Sequence, residues 1–283
     1  MGDAWAASEL LELAEGQRDA NAPDHWGRTP VLAAAFSGYT DTVRALVHAC
    51  GADANTANKN GVTPIYAAAY GGYTQTVRAL VLELGANAST ADKKGATPVW
   101  IAADNGHTET VRALVREFGA DVDTADKNGT TPVCIAATNG YTETVRALVR
   151  ELHADTSTPD KSGATPLFLA VLLGRTETVR ALVQECGQDV HTANEHGTSL
   201  IHMAAAFGHT DMVRMLVKSG ADPNALNKIG DTPVDIAARN GHTETVRVMN
   251  HLLKRGLRAA EPSSRFHVEV PRRSAEFPRA GPL

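Results

Sequence analysis

The dipeptide Thr-Pro recurs along this chain with a period of 34 residues, at Thr29-Pro30, Thr63-Pro64, Thr97-Pro98, Thr131-Pro132 and Thr165-Pro166. Ser199-Leu200 holds the next place as a degenerate copy, and Thr232-Pro233 follows after 33. A period of this length marks a stack of like units, each contacting only its neighbours. A single compact core of 283 residues would be near its upper size limit, and a stack avoids that limit. It also constrains function. A stack presents a long ladder of side chains and rarely the converging polar groups that chemistry needs.

The third unit reads D-K-K-G-A-T-P-V-W-I-A-A-D-N-G-H-T-E-T-V-R-A-L-V-R-E-F-G-A-D from Asp92. Thr97 is suited to accept from an orphan amide at a helix start, and Pro98 fits the first helical position. The small pair Ala102-Ala103 lets the next unit approach closely. Gly106 ends this short helix, because glycine tolerates the left-handed conformation. A second helix starts near Thr108, with Val111, Leu114 and Val115 on its buried side, and ends at Gly119. The turn-rich stretch 120–129 predicts a projecting loop.

This pattern resembles the ankyrin repeat: the T-P-x-x-x-A-A-x-x-G-H core, the second helix and the following G-A-D all match. The resemblance runs over seven units from Asp24 to Gly256. It implies an all-α fold, an ankyrin-repeat α-solenoid of helix pairs with projecting β-turn or hairpin fingers. The usual unit is one residue shorter, and the extra residue falls at the end of the second helix. The sixth unit, through Val213 and Gly220, lacks it. The tetratricopeptide repeat shares the 34-residue length but lacks the Thr-Pro start and the glycine-rich finger. Residues 1–23 are expected to hold a capping helix over Ala4–Glu15, burying Leu10, Leu11 and Ala14. Residues 24–256 are the repeats, the last a cap with Arg247, Asn250, His251, Lys254 and Arg255 outward. Residues 257–283, rich in Arg and Pro, are expected to be a disordered tail.

The net charge of -5 divides unevenly: Arg255 to Leu283 holds six Arg and three Glu, giving +3, so the remainder carries -8. An acidic body argues against a nucleic-acid face. Cys50 and Cys186 occupy the same place four units apart, too distant for a disulfide, so Cys50, Cys134 and Cys186 are expected to be free thiols. That places the chain inside the cell, in the cytoplasm or nucleus. Glu9, Glu12 and Glu15 interrupt any signal-like stretch, and no run approaches a membrane span. Ala6 stands where a myristoylation motif needs Ser or Thr. The sequons at Asn87 and Asn128 are read as chance.

Comparing the units with each other concentrates variation in two places: the residues flanking the finger glycine, and the pair ending the first helix. The resemblance implies that both face a concave groove. The candidates are Trp26, Arg28 and Phe36; Asn60, Val62 and Tyr70; Lys94, Asp104 and Asn105; Thr130, Thr138 and Asn139; Ser162, Leu172 and Leu173; His196, Ala206 and Phe207; and Ile229, Asp231 and Arg239. Trp26, Phe36, Tyr70, Leu172, Leu173, Phe207 and Ile229 are apolar where drift would leave polar residues, which suggests contact sites. Unit five, P-L-F-L-A-V-L-L-G, is apolar all round, which makes Leu172 and Leu173 the central anchors. Replacing both with Glu is then expected to abolish capture and leave stability almost unchanged.

Other positions read as structural. The ladder Arg44, Arg78, Arg112, Arg146 and Arg180 is expected to be a solvated outer face, with Glu109, Glu143 and Glu177 pairing three residues ahead of their Arg. The residue three after each Thr is Leu32, Tyr66, Trp100, Cys134, Phe168, His202 or Asp235. The family usually has His there, bonded to the loop backbone. Only His202 retains it, and the changes are expected to exchange a hydrogen bond for packing. His153 replaces the glycine that ends the second helix in other units, which implies strain.

No phosphate loop is present. Cys186, His191 and His196 form a C-x4-H-x4-H series without a fourth ligand. His107, His209 and His242 hold the family's Gly-His place and read as structural. Arg272-Arg273-Ser274 has the form of a basophilic kinase site. The combined reading is a monomeric, non-catalytic scaffold or adaptor. It needs no cofactor or metal, binds neither nucleic acid nor membrane, and holds an unidentified protein partner in its groove. Three alternatives stand beside it. One is a recognition subunit delivering its partner to a modifying enzyme such as a ubiquitin ligase. Another is a substrate hydroxylated on a loop Asn, for which Asn55 and Asn224 are in place. The least favoured is an enzyme, which would need a converging polar pocket.

Overall fold

The computed structural model describes residues 19–194 and 196–260. The expected N-terminal capping helix and Ser274 lie outside the described residues. Seven first helices run in order: Pro30–Phe36, Pro64–Tyr70, Pro98–Asp104, Pro132–Asn139, Pro166–Leu172, Leu200–Ala206 and Pro233–Arg239. Each is followed by a second helix, starting at Thr40, Thr74, Thr108, Thr142, Thr176, Thr210 and Thr243. The last of these runs Thr243–Ala260, through Gly256. The fold is an all-α solenoid. No helix among the described residues is long and apolar enough to cross a membrane.

The recurring threonine makes the helix start. Thr97 Oγ1 accepts from Trp100 N–H at 3.2 Å, and Thr29, Thr63, Thr131, Thr165 and Thr232 accept in the same way. Ser199 solves the problem differently, donating its own N–H to His202 Nδ1 at 3.2 Å in a reciprocal cap. Between units the chain forms tight fingers. In the third, Asp92 N–H donates to Ala96 O at 2.9 Å, and the Asp92 carboxylate accepts from Lys94 and Ala96.

In units two to five the extra residue takes the form of a π-helical turn, whereas unit one accommodates it within the α-helix Thr40–Cys50. The second helices of units two to five widen at Ala79–Glu83, Ala113–Glu117, Ala147–Glu151 and Ala181–Glu185. Leu84, Leu152 and Cys186 each donate five residues back, to Ala79, Ala147 and Ala181. Unit six lacks the insertion and stays α-helical over Thr210–Lys218.

The core is a row of near-identical layers. Val77 and Leu80, Val111 and Leu114, Val145 and Leu148, and Val179 and Leu182 are fully buried, as are Ala102 and Ala103. Truncating any of these leucines to Ala costs about 2–5 kcal/mol. Three polar ladders bind the layers together. Threonine hydroxyls meet between units at Thr40–Thr76, Thr74–Thr110, Thr108–Thr144 and Thr142–Thr178, 2.7–2.9 Å apart. Finger backbones join through Lys93 N–H to Asn60 O, Lys127 N–H to Lys94 O and Lys161 N–H to Asn128 O.

The third ladder corrects the expectation of a merely solvated arginine face. Arg44, Arg78, Arg112 and Arg146 each reach a glutamate in the π-turn of the following unit. The pairs are Arg44–Glu83, Arg78–Glu117, Arg112–Glu151 and Arg146–Glu185, at 2.6–2.7 Å. The expected pairs inside one helix, such as Arg146 with Glu143, exist as well. Hydrogen bonding to these arginines holds the four glutamates below their ordinary value.

Two of the ladders stop between units five and six. The threonine opposite Thr176 is replaced by buried Met212, and Ser219 stands where the partner glutamate of Arg180 would be. Gln184 Nε2 donating to Ser219 Oγ at 3.0 Å replaces the ion pair. The threonine ladder resumes at Thr210–Thr245.

Candidate protein-binding groove

The fingers and the C-terminal ends of the first helices form one face of the stack. Two positions per unit end each first helix, and their register decides which side chains are free. Asn139 Nδ2 donates to both the backbone and side-chain oxygens of Asp104 at 2.9 Å, bracing unit four on unit three. Asn240 Nδ2 braces unit seven on Ala206 O at 2.8 Å. Asn105 turns back to Ile101 O in its own helix. The candidates Asp104 and Asn105 are therefore tied into the scaffold, half-buried, at the centre of the groove.

At the bracing position units five and six carry Leu173 and Phe207, which have no amide to donate. They point outward, 44% and 50% exposed. In units one and two, Phe36 and Tyr70 are 50% and 44% exposed and stack with ring centroids 5.5 Å apart. The groove thus has an aromatic pair at one end, an apolar pair further along, and polar units between.

Leu172 departs from expectation. It is half-buried against the core, and its carbonyl accepts from His209 Nε2 at 3.3 Å. Unit five is apolar all round because one side of its first helix packs inward through Leu167, Ala170 and Val171, while Phe168 and Leu172 fill the flanks. Of the two only Leu173 is exposed, so a double replacement of Leu172 and Leu173 would also disturb packing.

The finger candidates divide likewise. Trp26 is exposed, with the Arg28 guanidinium 4.4 Å over its ring and held by Asp24 at 2.8 Å. Arg239 is committed to Asp231 at 2.7 Å, and this hydrogen bond holds the Asp231 carboxyl below its usual value. Asn60, Lys94 and His196 expose their side chains while their carbonyls join finger to finger. Ile229 is the most exposed apolar candidate, and Leu226 lies exposed in the same finger. Leu226 was not among the candidates, although other fingers hold Ala57, Ala91 or Ala125 at its place. That contrast was the available signal.

His107 and His242 bond to carbonyls of the preceding unit, at Tyr70 and Ala206, each at 2.9 Å. Trp100 keeps the loop bond that its replacement of His was expected to lose: its indole N–H donates to Thr130 O at 2.9 Å, just as His202 Nε2 meets Asp231 O. Cys134 at this register is buried, which pushes its thiol up. Cys50, Cys134 and Cys186 are free thiols. Among the described residues no three His, Cys, Asp or Glu side chains converge as metal ligands do, so Cys186, His191 and His196 are not brought together.

A family model of ankyrin repeats (3 copies) matches residues 2–92, 31–126, 81–160 and 118–194, and one of ankyrin repeats (many copies) matches 201–249. No curated protein matches the chain. The crystal structure of the human ASB11 ankyrin repeat domain superposes with a TM-score of 0.67 at 26% identity, covering 78% of this chain and 98% of that one.

Proposed function

This chain belongs to the ankyrin-repeat family, and from that premise we propose that it is a non-catalytic scaffold that holds a protein partner along its finger-and-first-helix face. Ankyrin repeats are generally protein–protein interaction modules. The observation that carries the reading is the pair of exposed apolar patches, Phe36 with Tyr70 and Leu173 with Phe207. Large apolar side chains held out on a rigid frame lose little freedom on binding, which favours affinity. The braced polar centre at Asp104, Asn105 and Asn139 fixes the separation of the patches and supplies selectivity. The scaffold acts as a monomer inside the cell, where its thiols stay reduced.

The test is capture from source-cell lysate with four baits: wild type, Leu173→Glu, Phe36→Ala/Tyr70→Ala and Leu172→Glu. Leu173→Glu and the aromatic double variant are expected to melt within a few degrees of wild type and to lose the partner. Leu172→Glu is expected to lower stability by about 2 kcal/mol, because it places a charge against the core. A partner retained equally by wild type and both folded groove variants would exclude this face.

A further inference from the structure

Five fingers carry a lysine at one register: Lys59, Lys93, Lys127 and Lys161 in units two to five, and Lys228 in unit seven. Lys94 stands beside Lys93. All six are exposed, and among the described residues none enters an ion pair. The arginines behave in the opposite way. Arg28, Arg44, Arg78, Arg112, Arg146, Arg180, Arg239 and Arg247 are each committed to a carboxylate of the chain. Among the described residues these guanidinium groups pair within the chain, while the fingertip ammonium groups meet solvent.

The aspartates in the same turns do not cancel this. Asp92, Asp126 and Asp160 each turn a carboxylate oxygen onto two backbone N–H groups of their own finger, at 2.8–3.0 Å. In fingers two and seven Asn58 and Asn227 do the same work without charge. At the fingertip turns alone six positive charges face outward against three half-buried negative ones, while Asp53, Asp121, Asp123, Asp155 and Asp222 stand earlier in the same fingers and Asp231 is paired with Arg239.

The lysine spacing is fixed by the backbone. Lys93, Lys127, Lys161 and Lys228 each donate their own N–H to the preceding finger, so the ridge advances by one unit per lysine. Stacked helices lie about 8–10 Å apart. A protein segment in the polyproline II form rises about 3.1 Å per residue with three residues per turn, so every third side chain faces the same way at about 9 Å. A nucleic-acid strand fits less well. Its phosphates follow at about 3.4 Å along the axis. The fingers from Asn58 to Gly163 hold no aromatic on which bases would stack.

We propose that the ridge Lys59–Lys93–Lys127–Lys161 docks an extended acidic protein segment with a carboxylate at about every third residue. The proposal rests on the reading that the chain binds a protein, and names the chemistry of that partner's flank. The probe is a fluorescent twelve-residue peptide, Glu-Ala-Pro repeated four times, read by anisotropy against the full chain. A Gln-Ala-Pro peptide and a thymidine 12-mer serve as controls. The Glu peptide is expected to bind, more weakly as salt rises, with the Gln peptide and the charge-reversed chain (Lys93→Glu/Lys127→Glu/Lys161→Glu) each about tenfold weaker. Leu173→Glu is expected to bind the Glu peptide within about twofold of wild type, since charge in the groove acts only through screened solvent. No binding of the Glu peptide, equal binding of both peptides, indifference to charge reversal, or equally tight binding of the oligonucleotide would each overturn the ridge. A lysate partner lost with Leu173→Glu but kept after lysine reversal overturns the ridge and leaves the groove reading standing. Peptide capture by the ridge, with every lysate partner indifferent to Leu173, overturns the groove instead.

Discussion

His153 is the one described residue other than glycine with a positive φ, at 58°. Its counterparts Gly51, Gly85, Gly119 and Gly187 share that left-handed conformation, and no atom lies close to where a Cβ would sit on any of them. The side chain is thus tolerated by space and opposed only by the backbone. His153→Gly is expected to stabilise the chain by about 1 kcal/mol, read as a raised urea midpoint. An unchanged or lowered midpoint would mean the imidazole makes a compensating contact. The strain was legible because the units can be laid over one another, and a misfit in one column stands out. The same comparison failed at Leu172 and Leu173. Both break the pattern of their columns, yet one packs inward and its neighbour outward. Adjacent residues at the end of a short helix divide between core and solvent according to how that helix sits on the next, which no column of letters records.

At the scale of the element, the helix starts, the fingers and most helix ends were readable, since each depends on Thr, Pro and Gly acting locally; the last helix runs past Gly256 to Ala260, into the stretch expected to be a disordered tail. The inserted residue was visible too, but its form as a π-turn was not, because nothing in the local sequence distinguishes a widened turn from a longer helix. The arginine ladder was read through spacing within one helix, as Arg112 with Glu109. Its inter-unit partner, Glu151, lies 39 residues away, beyond any helical rule. These pairs carry a pH dependence. Glu83, Glu117, Glu151 and Glu185 are held below their ordinary 4.5 by hydrogen bonds from arginine. Their contribution is then complete above about pH 4.5 and fades as pH falls below it. The wild-type urea midpoint is expected to drop between pH 6 and pH 3, and to drop less once Glu117, Glu151 and Glu185 are all Gln. Equal slopes for the two chains would show that the staples do not contribute. The groups are exposed, so each pair adds little, and only their sum is expected to register.

For the whole molecule, a stack is as cooperative as its weakest interface. That interface lies between units five and six, where the threonine ladder meets Met212 and the arginine ladder meets Ser219. Units six and seven are expected to open before the rest, so amides of Thr210–Lys218 should exchange with solvent faster than those of Thr142–Arg146. Uniform protection along the array would show that Gln184 and the packing around Met212 restore the coupling. The weak interface separates Leu173 from Phe207, so the apolar pair spans the junction and a partner bridging both would close it. This makes the groove measurable as a footprint. With the captured partner added, oxidative surface labelling at Phe36, Tyr70, Leu173 and Phe207 is expected to fall severalfold, with Leu82 on the second-helix side unchanged. Protection at Leu82 with the four groove residues still labelled would contradict the account and move the binding face to the other side of the stack.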